Sequence, residues 1–361
     1  MSPSLTATPE SLCLLRLSAV GDVCHSVAVV RALQRHLPRA RLTWIVGRLE
    51  HTLVGDLPGV EFIIHDKRGG FKAWRALRAT LAARRFDVLL HMQAALRASL
   101  LSLAVRAERR LGFDRERAKD LQWLFTDQRI APQPQAHALE ALLGFADALG
   151  APRAAPAWDI PIPAAAHEFA AAQLRAGERW LVISPCSSQR SRNFRDWRAE
   201  RYAALVDHAA ARGVRCALTG GPTDLERGYG AAIAAHAKAR PLDLIGRTTL
   251  KELLAVLARA SVVVCPDSGP AHLADSVGTP VVGLYATSNP ARTGPYRSRP
   301  HCVDRYADAL RAFLGKRVDQ VPWGQRVRHP DAMDLISVDD VNTRFDAVLA
   351  AADRATAGAP T

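Results

Sequence analysis

Several junctions where an apolar run gives way to a helical pattern carry side chains able to do chemistry. The first reads Arg16-Leu17-Ser18-Ala19-Val20-Gly21-Asp22. Asp22 could take a proton there, Ser18 brings a hydroxyl, and Gly21 lets backbone approach a ligand. Asp22 could equally cap a helix beginning at Val23, a common task for aspartate. The second junction is Cys265-Pro266-Asp267-Ser268-Gly269-Pro270-Ala271-His272. Amide groups at a helix N-terminus, with a hydroxyl and a small glycine beside them, make a seat for phosphate. His272, one turn in, could add a donor; the alternative is a plain N-cap arrangement and a core histidine.

The third is the loop from Ser184 to Trp197, which carries the hydroxyls of Ser187 and Ser188 and the cations Arg190, Arg192 and Arg195. Arginine meets phosphate through a fixed fork of donors, so three in one loop suit a diphosphate, unless the loop is only a solvated basic surface. The fourth, Thr219-Gly220-Gly221-Pro222-Thr223-Asp224-Leu225-Glu226, offers Glu226. A carboxylate in that place can accept hydrogen bonds from ribose hydroxyls, or it can simply complement a helix dipole.

The elements that position these junctions alternate. Strands are expected at 12–17, 42–46, 60–65 and 88–91, with helices at 23–37, 71–84 and about 95–106. Residues 151–163, APRAAPAWDIPIP, form a proline-rich linker without either period. Alternation then restarts, with strands at 180–184, 215–219, 243–245, 262–265 and 280–285. Helices lie between them at 201–212, 225–238, 250–260 and 271–277. Strands alternating with helices of this length mean βαβ units and parallel sheets, so each half is expected to be a doubly wound α/β unit. Ligands of such sheets bind beyond the carboxyl ends of the strands, where all four junctions fall. Residues 302–330 show no clear alternation, 338–352 reads as a final helix, and the last eight residues read as a disordered tail.

A chain of 361 residues has room for two domains. Its 48 Lys and Arg against 35 Asp and Glu favour an anionic partner without naming it. The six cysteines are far apart and form no C-x-x-C pair, so they read as reduced, buried thiols of a cytosolic protein. No apolar run approaches the ~20 residues that span a bilayer, and the polar first residues lack a signal-peptide pattern. The phosphate-loop fingerprint of ATPases is missing, and the lone G-x-G, Gly228-Tyr229-Gly230, sits inside a helical pattern rather than after a strand. No Asp-x-Asp pair stands ready to hold a metal between phosphates, so arginines and helix ends would have to neutralise a leaving diphosphate.

Together these segments resemble glycosyltransferase family 9, the lipopolysaccharide heptosyltransferases. Arg16 to His25 resembles the family's opening motif, and Asp267-Ser268-Gly269-Pro270-Ala271-His272 with Val281-Val282-Gly283-Leu284-Tyr285 its donor-site motif. Arg195-Asp196-Trp197 followed by Glu200-Arg201-Tyr202 is similar to its lysine-x-tryptophan-proline segment. The match runs in order from about residue 12 to 296. Arg195 stands in place of the family's lysine, Arg198 of its proline and Ala286 of a glycine, and the 186–195 loop is longer.

The resemblance implies an α/β GT-B fold: two Rossmann-like, doubly wound parallel-sheet domains facing a central cleft. Residues 1–155 would bind the acceptor and 156–335 the nucleotide sugar, with 336–361 forming a helix that crosses back to the N-terminal domain and a tail. It implies an inverting, metal-independent transfer of heptose from ADP-heptose, a co-substrate rather than a cofactor, to a Kdo-lipid A type inner core. Asp22 would be the general base. Ser187, Ser188, Arg195, Asp267, Ser268, Gly269 and His272 would hold the donor's diphosphate end, Glu226 the ribose, and backbone near Thr248 the adenine. Ser18, Gly21, Arg68, Arg97 and Lys119 would face the anionic glycolipid acceptor. The expected protein is a cytoplasmic monomer, peripheral on the inner leaflet, with no nucleic-acid partner. A nucleotide-sugar epimerase or hydrolase on the same fold is the alternative enzyme. A basic nucleic-acid-binding protein is the alternative from another class, and it has few aromatics to stack bases.

Overall fold

The computed structural model describes residues 8–187 and 193–357. The chain divides into two compact units, Met1–Pro161 and Ile162–Thr361. The division falls inside the proline-rich stretch, a few residues beyond the expected boundary after 155.

The first unit runs β1 (Ser11–Leu15), α1 (Val20–His36), β2 (Arg41–Gly47), α2 (Arg48–Val54), β3 (Val60–His65), α3 (Gly70–Thr80), β4 (Phe86–His91), α4 (Leu96–Ser102), β5 (Ala107–Gly112), β6 (Gln128–Arg129) and α5 (Ala138–Asp147). Its sheet has the order β3-β2-β1-β4-β5-β6, and every pair is parallel. Strand β1 is buried throughout, as expected where helices cover both faces of a sheet.

The strand β5 has no counterpart in the sequence reading because AERRLG is too charged to look buried. The Arg110 side chain resolves this by donating to the carbonyls of Phe125, Val105 and Ser102 at 2.8–3.0 Å, so its charge is satisfied by backbone acceptors. The helix α5 was also hidden. The ring of His137 accepts from the Leu139 amide at 3.1 Å to start it, and the helix packs on α1.

The second unit runs α6 (Ala164–Gln173), β7 (Arg179–Ile183), α7 (Ala199–Ala210), β8 (Val214–Leu218), α8 (Asp224–His236), β9 (Leu242–Asp243), α9 (Leu250–Arg259), β10 (Val262–Pro266), α10 (Gly269–Ser276), β11 (Val281–Tyr285), α11 (Pro290–Thr293), β12 (Val303–Asp304), α12 (Tyr306–Leu314) and α13 (Val338–Ala357). Its sheet order is β12-β11-β10-β7-β8-β9, again all parallel. Strands β7 and β10 therefore stand where β1 and β4 stand in the first unit. In both sheets the chain order reverses between that central pair, which opens a crevice at their carboxyl ends.

The stretch 302–330 does contain regular structure. It supplies β12 and α12, and the segment after it is tied to the core, because the Trp197 indole donates to the Ile336 carbonyl at 2.9 Å. The helix α13, expected to cross back to the N-terminal domain, packs on α7, β10, β11 and β12 of its own unit. Asp346 accepts from the His208 ring at 3.0 Å and Asp353 from Arg179 at 3.0 Å. Residues 354–357 continue that helix, where a disordered tail was expected; residues 358–361 lie outside the described residues.

Candidate functional site

At the carboxyl end of β1 the chain is stitched to its neighbours before α1 begins. The Trp44 indole donates to the Arg16 carbonyl at 3.0 Å, and the Leu17 amide donates to Gln93 Oε1 at 2.7 Å. Arg16 is only 9% exposed and points its guanidinium two ways, Nη1 to the Met92 carbonyl at the end of β4 and Nη2 to Asp22 Oδ2. Asp22 is the third residue of α1 rather than its cap, since the helix opens at Val20 with Ala19 in the cap position. The Ala19 amide donates to Oδ2 at 3.3 Å. Both contacts thus fall on one oxygen, and Oδ1 is left without a protein partner among the described residues. The side chain is 43% exposed. Ser18 is partly buried beside it and Gly21 is buried.

Arg68 lies in the loop after β3, Arg97 is the second residue of α4 after β4, and Lys119 lies in the loop after β5. Because the sheet is parallel, all three stand beyond the same edge as Asp22. All are exposed, and none has a described ion-pair partner. Arg48, which opens α2 after β2, is a fourth exposed cation on this edge. The sequence reading missed it because it adjoins a short helix that was not recognised.

In the second unit the loop before α7 is wound on Asp196. Its Oδ1 accepts from the Ser187 amide at 3.0 Å and hydroxyl at 3.2 Å, and its Oδ2 from Asn193 Nδ2 at 2.9 Å. The Ser187 hydroxyl is thus committed to shaping the loop. Ser188, Arg190 and Arg192 lie outside the described residues. The Arg195 amide donates to Asn193 Oδ1 at 2.8 Å, and its guanidinium Nη1 reaches the Asp267 carbonyl at 2.7 Å. The Asp267 carboxylate lies 3.7 Å from the same guanidinium and accepts from Ser288 Oγ at 2.8 Å.

Ser268 occupies the cap position of α10 yet makes no capping bond. Its buried hydroxyl meets only the Cys265 thiol, a weak partner, so hydrogen-bonding capacity remains for a ligand. Gly269 and Pro270 form the first positions of the helix, and His272 is half-buried one turn in. Neither thiol next to this seat is a nucleophile at neutral pH, because burial pushes both Cys186 and Cys265 up to about 12. All six cysteines are buried and none forms a disulfide, as the sequence implied.

Glu226 sits in the first turn of α8, buried. Its amide donates to Thr223 Oγ1 at 3.3 Å and its Oε2 accepts from that hydroxyl at 3.1 Å. It therefore serves the helix start as well as standing at the strand end. Thr248 is partly buried in the turn between β9 and α9. That turn is pinned to the end of β8 by Gly246, whose amide donates to the Gly220 carbonyl at 2.9 Å and whose φ of +71° favours glycine. The structure thus brings Arg195 and Asp267 into contact and sets Ser187, Glu226, Thr248, Ser268, Gly269 and His272 on one edge of the second sheet.

Missed were Arg16 as the partner of Asp22, Ser288 as the partner of Asp267, and the basic pair Arg326 and Arg328. The last had a signal, two arginines flanking one apolar residue at strand spacing. Among the described residues no group of three or more His, Cys, Asp or Glu is arranged to hold a metal ion.

Comparison with known proteins places these features in context. Residues 74–330 match the family model of glycosyltransferase family 9 (heptosyltransferase). The chain is 38% identical over 339 residues to the lipopolysaccharide core heptosyltransferase OpsX of Haemophilus influenzae, covering 94% of this chain and 97% of that one. Among solved structures, a family 9 glycosyltransferase from Veillonella parvula superposes with a TM-score of 0.77 at 20% identity, over 94% of this chain and 97% of that one. The Escherichia coli heptosyltransferase WaaC, solved with ADP, gives 0.70 at 20% identity over 94% and 99%. Both likenesses show the GT-B-like fold that the sequence had implied.

Proposed function

The chain belongs to glycosyltransferase family 9, the heptosyltransferases, and from that premise we propose that it transfers a heptose from ADP-heptose to a lipopolysaccharide inner-core acceptor of the Kdo-lipid A type, with inversion and without a metal. Asp22 Oδ1 takes the proton of the acceptor hydroxyl while that oxygen attacks the anomeric carbon. The bond from that carbon to the diphosphate oxygen breaks, and ADP leaves with the electron pair. Arg16 keeps the Asp22 carboxylate in place by its other oxygen. The observation that carries the reading is the Arg195 guanidinium held on the Asp267 carbonyl just before α10, beside the buried Ser268 hydroxyl, which makes no capping bond to the helix. Such a seat suits an anion that brings its own acceptors.

Arg195, Ser268, Gly269 and His272 hold the diphosphate, Ser187 and Asp267 shape its seat, Glu226 takes the ribose, and backbone near Thr248 takes the adenine. Arg68, Arg97 and Lys119 meet the acceptor's anionic groups, with Ser18 and Gly21 beside the reacting hydroxyl. The acceptor is a lipid, and the first unit presents a surface suited to reach it. Leu96, Leu100 and Leu103 share one face of α4 and its following turn, at 47%, 49% and 59% exposure. Phe71, Leu121, Trp123 and Leu124 are exposed in the neighbouring strand-end segments. No helix among the described residues is long and apolar enough to cross a membrane, and the chain works in the cytoplasm from the inner leaflet's surface.

The test is thermal stabilisation by a panel of ADP-, UDP- and GDP-sugars, because a ligand bound only by the folded state raises its midpoint. ADP-sugars should stabilise most, and a response confined to UDP or GDP would sink the donor assignment. Product analysis with donor alone separates transfer from epimerisation or hydrolysis: stoichiometric donor consumption without acceptor would favour the latter.

A further inference from the structure

Several arginines of the second unit are matched to carboxylates. Arg179 pairs with Asp353, Arg198 with Asp334, Arg212 with Asp346 and Arg215 with Glu178. Three are not. Arg292, Arg326 and Arg328 have no hydrogen bond or ion pair from their side chains to any described residue. They stand together at the edge of the sheet where the donor seat lies.

Their positions are set by backbone and packing. The Val327 amide donates to the Thr287 carbonyl at 2.9 Å, two residues past the end of β11, and its side chain is 1% exposed. The Tyr306 hydroxyl donates to the Gln325 carbonyl at 2.8 Å and holds the segment from the other side. With Val327 turned into the core, Arg326 and Arg328 on either side turn outward. Arg292, on α11, lies against the same segment, since a Cβ on Gly324 would stand 3.4 Å from its Nε and 3.5 Å from its Cζ. Next to Thr287 is Ser288, which donates to Asp267, the residue that also receives Arg195.

Arg195, Arg292 and Arg328 thus surround Arg326 closely enough to act on its charge, and the nearby Asp267 carboxylate is already engaged by Arg195 and Ser288. Partial burial first, and then the cations of Arg195, Arg292 and Arg328, lower the proton affinity of Arg326 against the opposing pull of Asp267. Such crowding is relieved by an anion with several acceptor oxygens.

We propose that Arg292, Arg326 and Arg328 complete, with Arg195, a side-chain cradle for the phosphoryl oxygens of the donor's diphosphate. This deepens the donor reading above and rests on it for the identity of the ligand. The negative charge left on the departing nucleotide is neutralised by three cations contributed from beyond β11, in addition to the helix start and Arg195.

The experiment titrates the chain and its R292M, R326M and R328M variants, singly and combined, with ADP, inorganic pyrophosphate and adenosine. Each substitution should weaken ADP and pyrophosphate roughly tenfold to a hundredfold, as for loss of a hydrogen bond to a charged group, and leave adenosine unchanged. R326K should recover part of the loss. Unchanged pyrophosphate affinity in a folded triple variant, or an equal loss for adenosine, overturns the cradle. Should the triple variant not fold, the singles and the native chain decide: pyrophosphate binding that does not weaken with salt overturns it too. A nucleotide panel favouring UDP or GDP would sink the ADP reading while pyrophosphate binding kept the cradle, so the two fail separately.

Discussion

The Arg195 guanidinium donates to the Asp267 carbonyl at 2.7 Å and so joins the loop after β7 to the loop after β10, the two strands between which the second sheet reverses its order. That one contact fixes a cation at the crevice where the fold binds ligands. It also bears on the departure from the family's lysine. A lysine offers a single charged point rather than a fork, so it could reach the carbonyl or a phosphate but not span both equally well.

Replacing Arg195 with Met should therefore lower kcat/KM roughly tenfold to a hundredfold, the range for losing a charged hydrogen bond. Arg195→Lys should retain most of the activity. Steady-state kinetics with ADP-heptose checks this, and an Arg195→Met enzyme as efficient as the native one would remove Arg195 from the donor seat.

Asp22 and Arg16 act as a unit. Asp22→Asn should reduce kcat by roughly 10²- to 10⁴-fold, the usual share of a general base, while donor affinity survives. Arg16→Met should lower kcat in the same direction by releasing the carboxylate, and the double variant should be no worse than Asp22→Asn alone. Full turnover by Asp22→Asn refutes its role; additive losses refute the coupling.

The exposed leucines of α4 and its turn give a separable prediction. Leu100→Glu with Leu103→Glu should reduce sedimentation with vesicles containing anionic phospholipid and leave the melting midpoint unchanged, since both side chains are already in solvent. Removing Arg97 or Lys119 should weaken the same binding about fivefold each, from ~1 kcal/mol per basic residue at an anionic surface. Vesicle binding by the double variant equal to that of the native chain would count against this surface.

Acid stability should depend on His91. Its ring is buried at the end of β4 within 3.1 Å of Ser99 Oγ, and burial, reinforced by Arg110, pushes its pKa down to about 3 from 6.5. The unfolded chain therefore binds a proton that the folded chain refuses. The stabilisation is complete above about pH 6.5 and is lost as the pH falls toward 3. His91→Gln should flatten the melting midpoint across that window. A variant with the native acid slope would show that other groups carry it.

Much of the frame was legible because its signals are local. The strand β3 matches its expected bounds, and β1, β2, β4, β7, β8, β10 and β11 differ from theirs by at most two residues at an end. Apolar runs of strand length separated by helical periods are written in consecutive residues. The strand-end positions of Asp22, Glu226 and Asp267 followed from the same alternation. Two strands and two helices of the first unit escaped because their evidence is not local. Arg110 looks wrong for a strand until the carbonyls that accept from it are in place, and α2 is too short to show a period.

By itself, then, the sequence determined the repeated parallel architecture, the family, and which chemical groups stand at strand ends. The tertiary structure alone decided which charges meet. Arg195 and Asp267 are 72 residues apart in the chain, and Arg292, Arg326 and Arg328 reach the same sheet edge only through hydrogen bonds and packing around β11. Even Arg16 and Asp22, close in sequence, are paired only because the Met92 carbonyl at the end of β4 turns the guanidinium toward the helix. Periodicity is a property of neighbours along a chain, whereas an electrostatic site is made by convergence, and convergence exists only once the chain has folded.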